Sequence, residues 1–431
     1  MSIATETDQH SCKPPFLRRV RIRGYKSISF CDVSLEPLTV LVGQNASGKS
    51  NFVDALAFLV DLIKMRAIEA VDIRGGWPVI QCRDRKKQSV EFEIEASLGG
   101  YQPTLEARYA FELSEVGRGR VTISKEALLL SLPGGSVKCG YDVRESDIAW
   151  IGDEQEWRKL RAYPGDLSSH PSHFLRHPNP DRLLLSALGS QPIVELSEEL
   201  RASHVHCFSP AAMRQPKPIT GSPDLAFDGS NLARAIEGIR EIDPGTIERI
   251  ASYLSSIVPG IEGLGTIKIE EYEMIQFRMS RGDAKPEVFG ASSMSDGTLQ
   301  ALATLVAAFQ IYLPTNASGF TAIEEPETSL HPSAVRALMA ALDEATLRKQ
   351  ILLTTHSSVL LDVPEIQTKN VRIVEMVDGE TLITPMDEAS TSIVRDRFGT
   401  IGDLERDRQL VLNLDDLDRQ KALAQQEPVM P

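Results

Sequence analysis

The chain has 431 residues, 42% of them hydrophobic and 25% charged, with a formal net charge of −14. This length supports two or three lobes around a sizeable core, and the balance excludes an intrinsically disordered chain. The acidic excess argues against a uniformly basic nucleic-acid binder, although a basic groove can sit on an acidic protein. Cysteines stand singly at Cys12, Cys31, Cys82, Cys139 and Cys207, which points to reduced thiols and a cytoplasmic protein.

In chain order, residues 1–15 are polar, contain acids and read as a disordered leader, neither a signal nor a transit peptide. From Phe16, LRRVRIRGYKSI and CDVSLEPLTVLVG alternate as two or three strands, ending in a buried one at Leu38–Val42. Asn51 to Arg66 then shows helical spacing, with Phe52, Ala55, Leu56, Leu59 and Leu62 on one face. Residues 89–98 and 104–113 alternate as a hairpin, and Arg120–Ile123 is a further strand candidate. From about Leu130 to Glu199, Pro, Gly, Ser and His are frequent and the patterning is weak, which marks an insertion over 130–204. HVHCFSP reads as a buried strand, Asn231–Ile242 and Pro244–Val258 as helices, and TIKIEEYEMIQFRMS as two strands. Leu299–Leu313 is an apolar helix, FTAIEEPE a buried strand and its exit, and Pro332–Arg348 a helix. ILLTTH is another buried strand, VRIVEMV with ETLITPM an edge hairpin, and residues from Ile393 onward are helical and charged. The apolar stretch from Ala301 to Leu313 is interrupted by Thr304 and Gln310 and falls short of the roughly 20 residues of a membrane span. No membrane insertion is expected.

Gly43-Gln44-Asn45-Ala46-Ser47-Gly48-Lys49-Ser50 fits G-x-x-x-x-G-K-[ST] between a strand and a helix. Such a loop turns its backbone N–H groups toward phosphate oxygens, and the following helix adds its positive end. Lys49 is placed to reach the β- and γ-phosphates of ATP, and Ser50 to offer its hydroxyl to Mg²⁺. The bland alternative is a simple glycine turn. Glu324 and Glu325 end a buried run, where two carboxylates are costly unless a cation or a water uses them. Glu324 is the candidate for the Mg²⁺ shell and Glu325 for orienting the attacking water; a solvated acidic turn is the competing reading. His356, at the end of ILLTT, is a candidate for contacting the γ-phosphate or that water, against a merely satisfied histidine. Ser295 or Asp296 could simply cap the helix that begins beside them.

These elements in this order resemble the ABC-type ATPases of the RecF/SMC-like class, and within it bacterial predicted AAA/OLD-like ATPases lacking a TOPRIM domain. The resemblance rests on RIRGYKSI, LTVLVGQNASGKSNFVDAL, FDGSNLARAI, SSMSDGTLQALATLVAAF, AIEEPETSLHP and LLTTHSSVLLD. It covers roughly 16–113 and 205–400. It implies an α/β P-loop NTPase of the ABC ATPase type, a mixed sheet with an antiparallel β lobe, a helical lobe and a central insertion. Its N-terminal half spans 16–129 and its C-terminal half 205–400, with a closing helix and tail over 401–431.

The resemblance also implies that Gly43 to Asn51 cradle ATP. Ser295, Asp296 and Gly297 form the signature segment, with Ser295 and Gly297 reaching the γ-phosphate held by a second subunit. Residues Thr328 to His331 would couple the two sites of a homodimer. Ala46 replaces the usual glycine, a change expected to be tolerated if its φ is negative. Glu324 stands where typical ABC proteins have aspartate. Lys26 is a candidate for approaching the phosphates, and Gln81 for the Q-loop.

A metal site from His170, His173, His177, His204, His206 and Cys207 is disfavoured by Pro171 and Pro178 and by the absence of a carboxylate beside them. Asp415, Asp416 and Asp418 read as a solvated helical face rather than a nuclease D-x-D. The expected function is an ATP-hydrolysing switch in DNA repair or antiphage defence, with DNA and a separately encoded effector protein as candidate partners. The competing reading, the ATP-binding subunit of a membrane transporter, is opposed by MSDGT in place of LSGGQ and by the long insertion.

Overall fold

The computed structural model describes residues 16–82, 89–99, 104–117, 119–135, 137–144, 147–160, 179–189, 191–280, 285–310, 317 and 319–426. The expected leader 1–15, the histidines His170, His173 and His177, and residues 311–313 of the expected apolar helix lie outside them. In chain order the strands are β1 (Leu17–Tyr25), β2 (Ile28–Ser34), β3 (Leu38–Val42), β4 (Ser89–Leu98), β5 (Leu105–Glu115), β6 (Val121–Ser131), β7 (Lys138–Arg144) and β8 (Asp147–Ile151). There follow β9 (His204–His206), β10 (Lys217–Pro218), β11 (Ile261–Ile269), β12 (Tyr272–Met279), β13 (Glu287–Gly290), β14 (Phe320–Glu324), β15 (Gln350–Thr355), β16 (Val371–Val377) and β17 (Glu380–Pro385).

The central sheet has the order β17-β16-β3-β15-β14-β9. Its strands β9, β14, β15, β3 and β16 run parallel, and β17 closes one edge antiparallel. A parallel sheet covered on both faces needs strands apolar on both sides, which is why LTVLV and QILLTT read as unbroken runs. The register divides them between two cores. Leu41, Ala322, Leu352 and Val374 face one core, whereas Val40, Ile323, Leu353 and Ile373 face the other. The first core is shared with the helix Lys49–Lys64 and a seven-stranded antiparallel sheet, β2-β1-β4-β5-β6-β7-β8. The second is filled by the helices Leu232–Ile242, Pro244–Ile257, Asp296–Phe309 and Pro332–Thr346. A small sheet, β10-β12-β11 with β13 on β12, edges that helical lobe.

Several elements differ from their sequence expectation. The strand expected at Arg120–Ile123 continues to Ser131, and β7 and β8 join the same antiparallel sheet where patterning was weak. The helix after the phosphate loop begins at Lys49, because Gly48 in the left-handed region (φ 101°) turns the chain straight into it. The apolar helix starts at Asp296, capped by Ser295, and ends at Phe309.

Candidate nucleotide site

The central sheet brings the sequence-predicted residues to the carboxyl ends of β3, β14 and β15, the edge where open α/β sheets bind ligands. Residues 43–48 leave β3 and feed the helix at Lys49. Two close approaches shape the loop. A Cβ on Gly43 would lie 2.1 Å from the Val374 carbonyl oxygen, and one on Gly48 would lie 1.9 Å from Thr381 Oγ1. Ala46 has φ 63°, so the condition under which the exchange for glycine would be free of strain is not met. The loop needs a left-handed residue there, and an L side chain pays about 1–2 kcal/mol for it.

The Lys49 ammonium folds back on the loop, donating to the carbonyl oxygens of Gly43 (2.6 Å) and Gln44 (2.9 Å). Burial pulls its pKa below the usual lysine value, while Glu325, Glu405, Glu324 and Glu327 pull it up. The hydroxyl of Ser47 is buried without a partner among the described residues. Asn51 donates to Ser27 Oγ at 2.6 Å, so the tip of the β1–β2 hairpin is fastened to the start of the helix. Lys26 is ion-paired with Asp54 at 2.5 Å on that helix, and Gln81 bridges to Tyr25 beside it.

Glu324 and Glu325 turn to different neighbours. The hydroxyl of Ser50 donates to Glu324 Oε2. Burial raises the Glu324 carboxyl pKa, and the Ser50 hydrogen bond works against that rise. Glu325 takes a left-handed backbone (φ 45°), and its N–H donates to the Thr354 carbonyl (3.1 Å) and hydroxyl (3.2 Å). Its Oε1 accepts from His356 Nδ1 at 3.2 Å. Strain of this kind collects at functional sites and is maintained by the surrounding bonds. A carboxylate bonded to an imidazole at the end of a buried sheet can orient a water and accept its proton. Ser50 and Glu324 supply hard oxygen donors that already meet, a set that fits Mg²⁺.

Glu327 is absent from the sequence-predicted set. It is 8% exposed, accepts from the Thr355 hydroxyl, and its Oε2 has no partner among the described residues. The third acid in EEPE was its available signal, but only the fold sets it beside Thr355. Ser295 caps the apolar helix through Thr298 N at 3.1 Å, and Asp296 pairs with Arg214 at 2.6 Å. Gly297 packs on the 328–331 loop of the same chain, where a Cβ would lie 2.3 Å from the Ser329 carbonyl oxygen. His331 caps the next helix through Ser333 N. His204 and His206 stack with ring centroids 6.1 Å apart. Among the described residues no group of three or more His, Cys, Asp or Glu could hold a metal ion. Asp416 bonds Arg419 and Gln420 of its own helix. Within the described residues, no helix is long and apolar enough to cross a membrane.

No curated protein matches the chain. Among solved structures it is similar to an SMC head bound to the C-terminal winged-helix domain of ScpA, at 13% identity and TM-score 0.49, covering 87% of this chain and 99% of that one. It is also similar to the SMC head domain from Thermotoga maritima, at 17% identity and TM-score 0.42, covering 86% and 99%. A third is the Pyrococcus furiosus Smc head with an extended coiled coil bound to the C-terminal domain of ScpA, at 13% identity and TM-score 0.47, covering 89% and 100%. Two family models match in succession. Residues 16–95 match an "AAA ATPase domain", and residues 157–362 match "AAA domain, putative AbiEii toxin, Type IV TA system". The first match contains the phosphate loop and the second contains Glu324, Glu325 and His356, so both halves of the site lie in stretches that match AAA-type ATPase models, on a mixed α/β P-loop fold.

Proposed function

We propose that this protein binds and hydrolyses ATP between its phosphate loop and the Glu324–Glu325 pair, as a homodimer closed around nucleotide. The observation that carries this reading is the convergence of Ser50 on Glu324 beside the Glu325–His356 hydrogen bond. Lys49, released from the Gly43 and Gln44 carbonyls, takes the β- and γ-phosphate oxygens in their place. Ser50 and Glu324 would hold Mg²⁺, which when bound neutralises charge on those oxygens. Glu325, positioned by His356, orients the attacking water and accepts its proton. Ser295 and Gly297, at the N-terminus of the helix Asp296–Phe309, meet the γ-phosphate held by the second subunit. Catalysis is then positioning and charge stabilisation, with no covalent intermediate.

The switch serves DNA-associated repair or defence, working with a separately encoded partner. The toxin–antitoxin description of the 157–362 match favours defence. The test is ATPase rate and oligomeric state for wild type and Glu325→Gln, with and without double-stranded DNA. The substitution should lower turnover by about 10²–10⁴-fold and trap an ATP-bound dimer, and DNA should stimulate the wild type. A variant that stays monomeric with ATP, beside a wild type indifferent to DNA, would remove the self-sufficient dimer and the DNA role together.

A further inference from the structure

The phosphate loop has a second wall. A cavity of about 330 Å³ is lined by residues 42–47, by residues 373–376 of β16, and by Glu405, Arg408, Leu410 and Val411. It is lined by Gly43 and Gln44, whose carbonyls hold the Lys49 ammonium, so this wall faces the end of the loop that Lys49 serves. Glu405 is half-buried there. Burial raises its carboxyl pKa, and the nearby Lys49 and His356 draw it down. Arg408 is exposed and has a left-handed backbone (φ 55°); its N–H donates to the Glu405 carbonyl at 3.0 Å, and its guanidinium makes no hydrogen bond or ion pair with any described residue. An uncommitted guanidinium on the wall of a phosphate-loop cavity is suited to a phosphate oxygen.

The wall is also fixed to the strand end that carries His356. The N–H of Gly402 donates to Asp362 Oδ1 at 3.0 Å, and Arg406 pairs with Asp362 at 3.1 Å. A Cβ on Gly402 would lie 2.3 Å from the Ser358 carbonyl oxygen, two residues beyond His356. The helix that leads into the wall is therefore tied to the turn that follows the histidine.

We propose that residues 405–411 form a sensor of the γ-phosphate within the same chain, in which Arg408 contacts the terminal phosphate and Glu405, of like charge, limits how tightly it is accepted. The inference rests on the ATP-binding reading above and adds residues outside both family matches. A diphosphate leaves Arg408 unengaged, so the wall distinguishes ATP from ADP.

The test is calorimetric titration of AMP-PNP and of ADP, each with Mg²⁺, into wild type, Arg408→Asn, Arg408→Lys, Glu405→Gln and Lys49→Ala. Asparagine tolerates the left-handed backbone, and unchanged ADP binding certifies the fold. Arg408→Asn should weaken AMP-PNP on the order of tenfold and leave ADP unchanged, and Arg408→Lys should recover part of the loss. Glu405→Gln should tighten AMP-PNP by about threefold. Equal affinities for AMP-PNP in wild type and Arg408→Asn, or equal weakening of both nucleotides, would overturn the sensor. If Lys49→Ala abolishes binding in that case, the ATP-binding reading survives alone. A wild type that binds neither nucleotide removes both.

Discussion

Glu126 in the antiparallel lobe and Glu327 beside the nucleotide site are both withdrawn from water, at 2% and 8% exposure. Their surroundings differ. Glu126 accepts four hydrogen bonds, from the hydroxyls of Tyr109 (2.9 Å) and Tyr141 (2.8 Å) and the backbone N–H groups of Leu184 (2.6 Å) and Leu185 (2.8 Å). Glu327 accepts from the Thr355 hydroxyl and is eased by its own backbone N–H, and its Oε2 has no partner among the described residues. A buried carboxylate with all its donors in place is a fastening, here of the 184–185 turn onto the sheet. A buried carboxylate left short of donors is an unstable arrangement that folding alone does not explain, and its donor Thr355 is the residue before His356.

Three substitutions test that contrast. The largest effect is expected from Glu126→Ala, which strands two tyrosine hydroxyls and two backbone N–H groups. A loss of about 3–5 kcal/mol in urea unfolding is expected, with nucleotide affinity of the folded protein preserved. A loss below about 1 kcal/mol would show that the four bonds do not fasten the turn. A smaller effect, of opposite sign, is expected from Glu327→Gln, which retains the acceptor for Thr355 and removes the charge. Burial raises the Glu327 carboxyl pKa, with Thr355 opposing the rise, so the folded chain favours the protonated form. That contribution is fully present below the ordinary glutamate value of about 4.3 and is lost as pH rises through the raised value. At pH 8 the variant should therefore be more stable than wild type by on the order of 1 kcal/mol, and the gap should close near pH 4. Unfolding curves at the two pH values decide it; a gap that is the same at both would place the charge elsewhere. The smallest effect belongs to Ala46→Gly. Relief of the left-handed strain exceeds the entropic cost of glycine by only about 0.5 kcal/mol, so a slight rise in Tm is expected. A fall would mean that the Ala46 methyl packs favourably despite its φ.

The parts readable in the sequence are those whose chemistry is local. Eight consecutive residues, Gly43 to Ser50, carry the phosphate loop with its spacing. A buried run closed by Glu324 and Glu325 announces itself because such acids are costly without a use. What was not readable depends on residues far apart in the chain. Strands β7 and β8 were hidden because KCGYDVR is buried on neighbouring positions rather than alternating cleanly. The left-handed φ of Ala46 is not announced by alanine itself, which occupies the place of the usual glycine. Glu405 and Arg408 look like ordinary members of a charged, solvated helix and turn. Only the packing of Gly402 on Ser358 and Asp362 brings them to the loop.

The place of β3 in the central sheet bears on how the chain can be made. Its neighbours are β15 and β16, so during synthesis it has no sheet partner on either side until residues 350–377 have left the ribosome. Through that interval LTVLV is an apolar strand with two bare edges, the kind of segment that recruits other chains. The antiparallel lobe, whose strands all come from residues 17–151, can close much earlier and shelter one of its faces. A fragment ending before β15 would thus carry an intact phosphate-loop sequence and a sticky, unpaired strand, and chaperone engagement should be concentrated on nascent chains of that intermediate length.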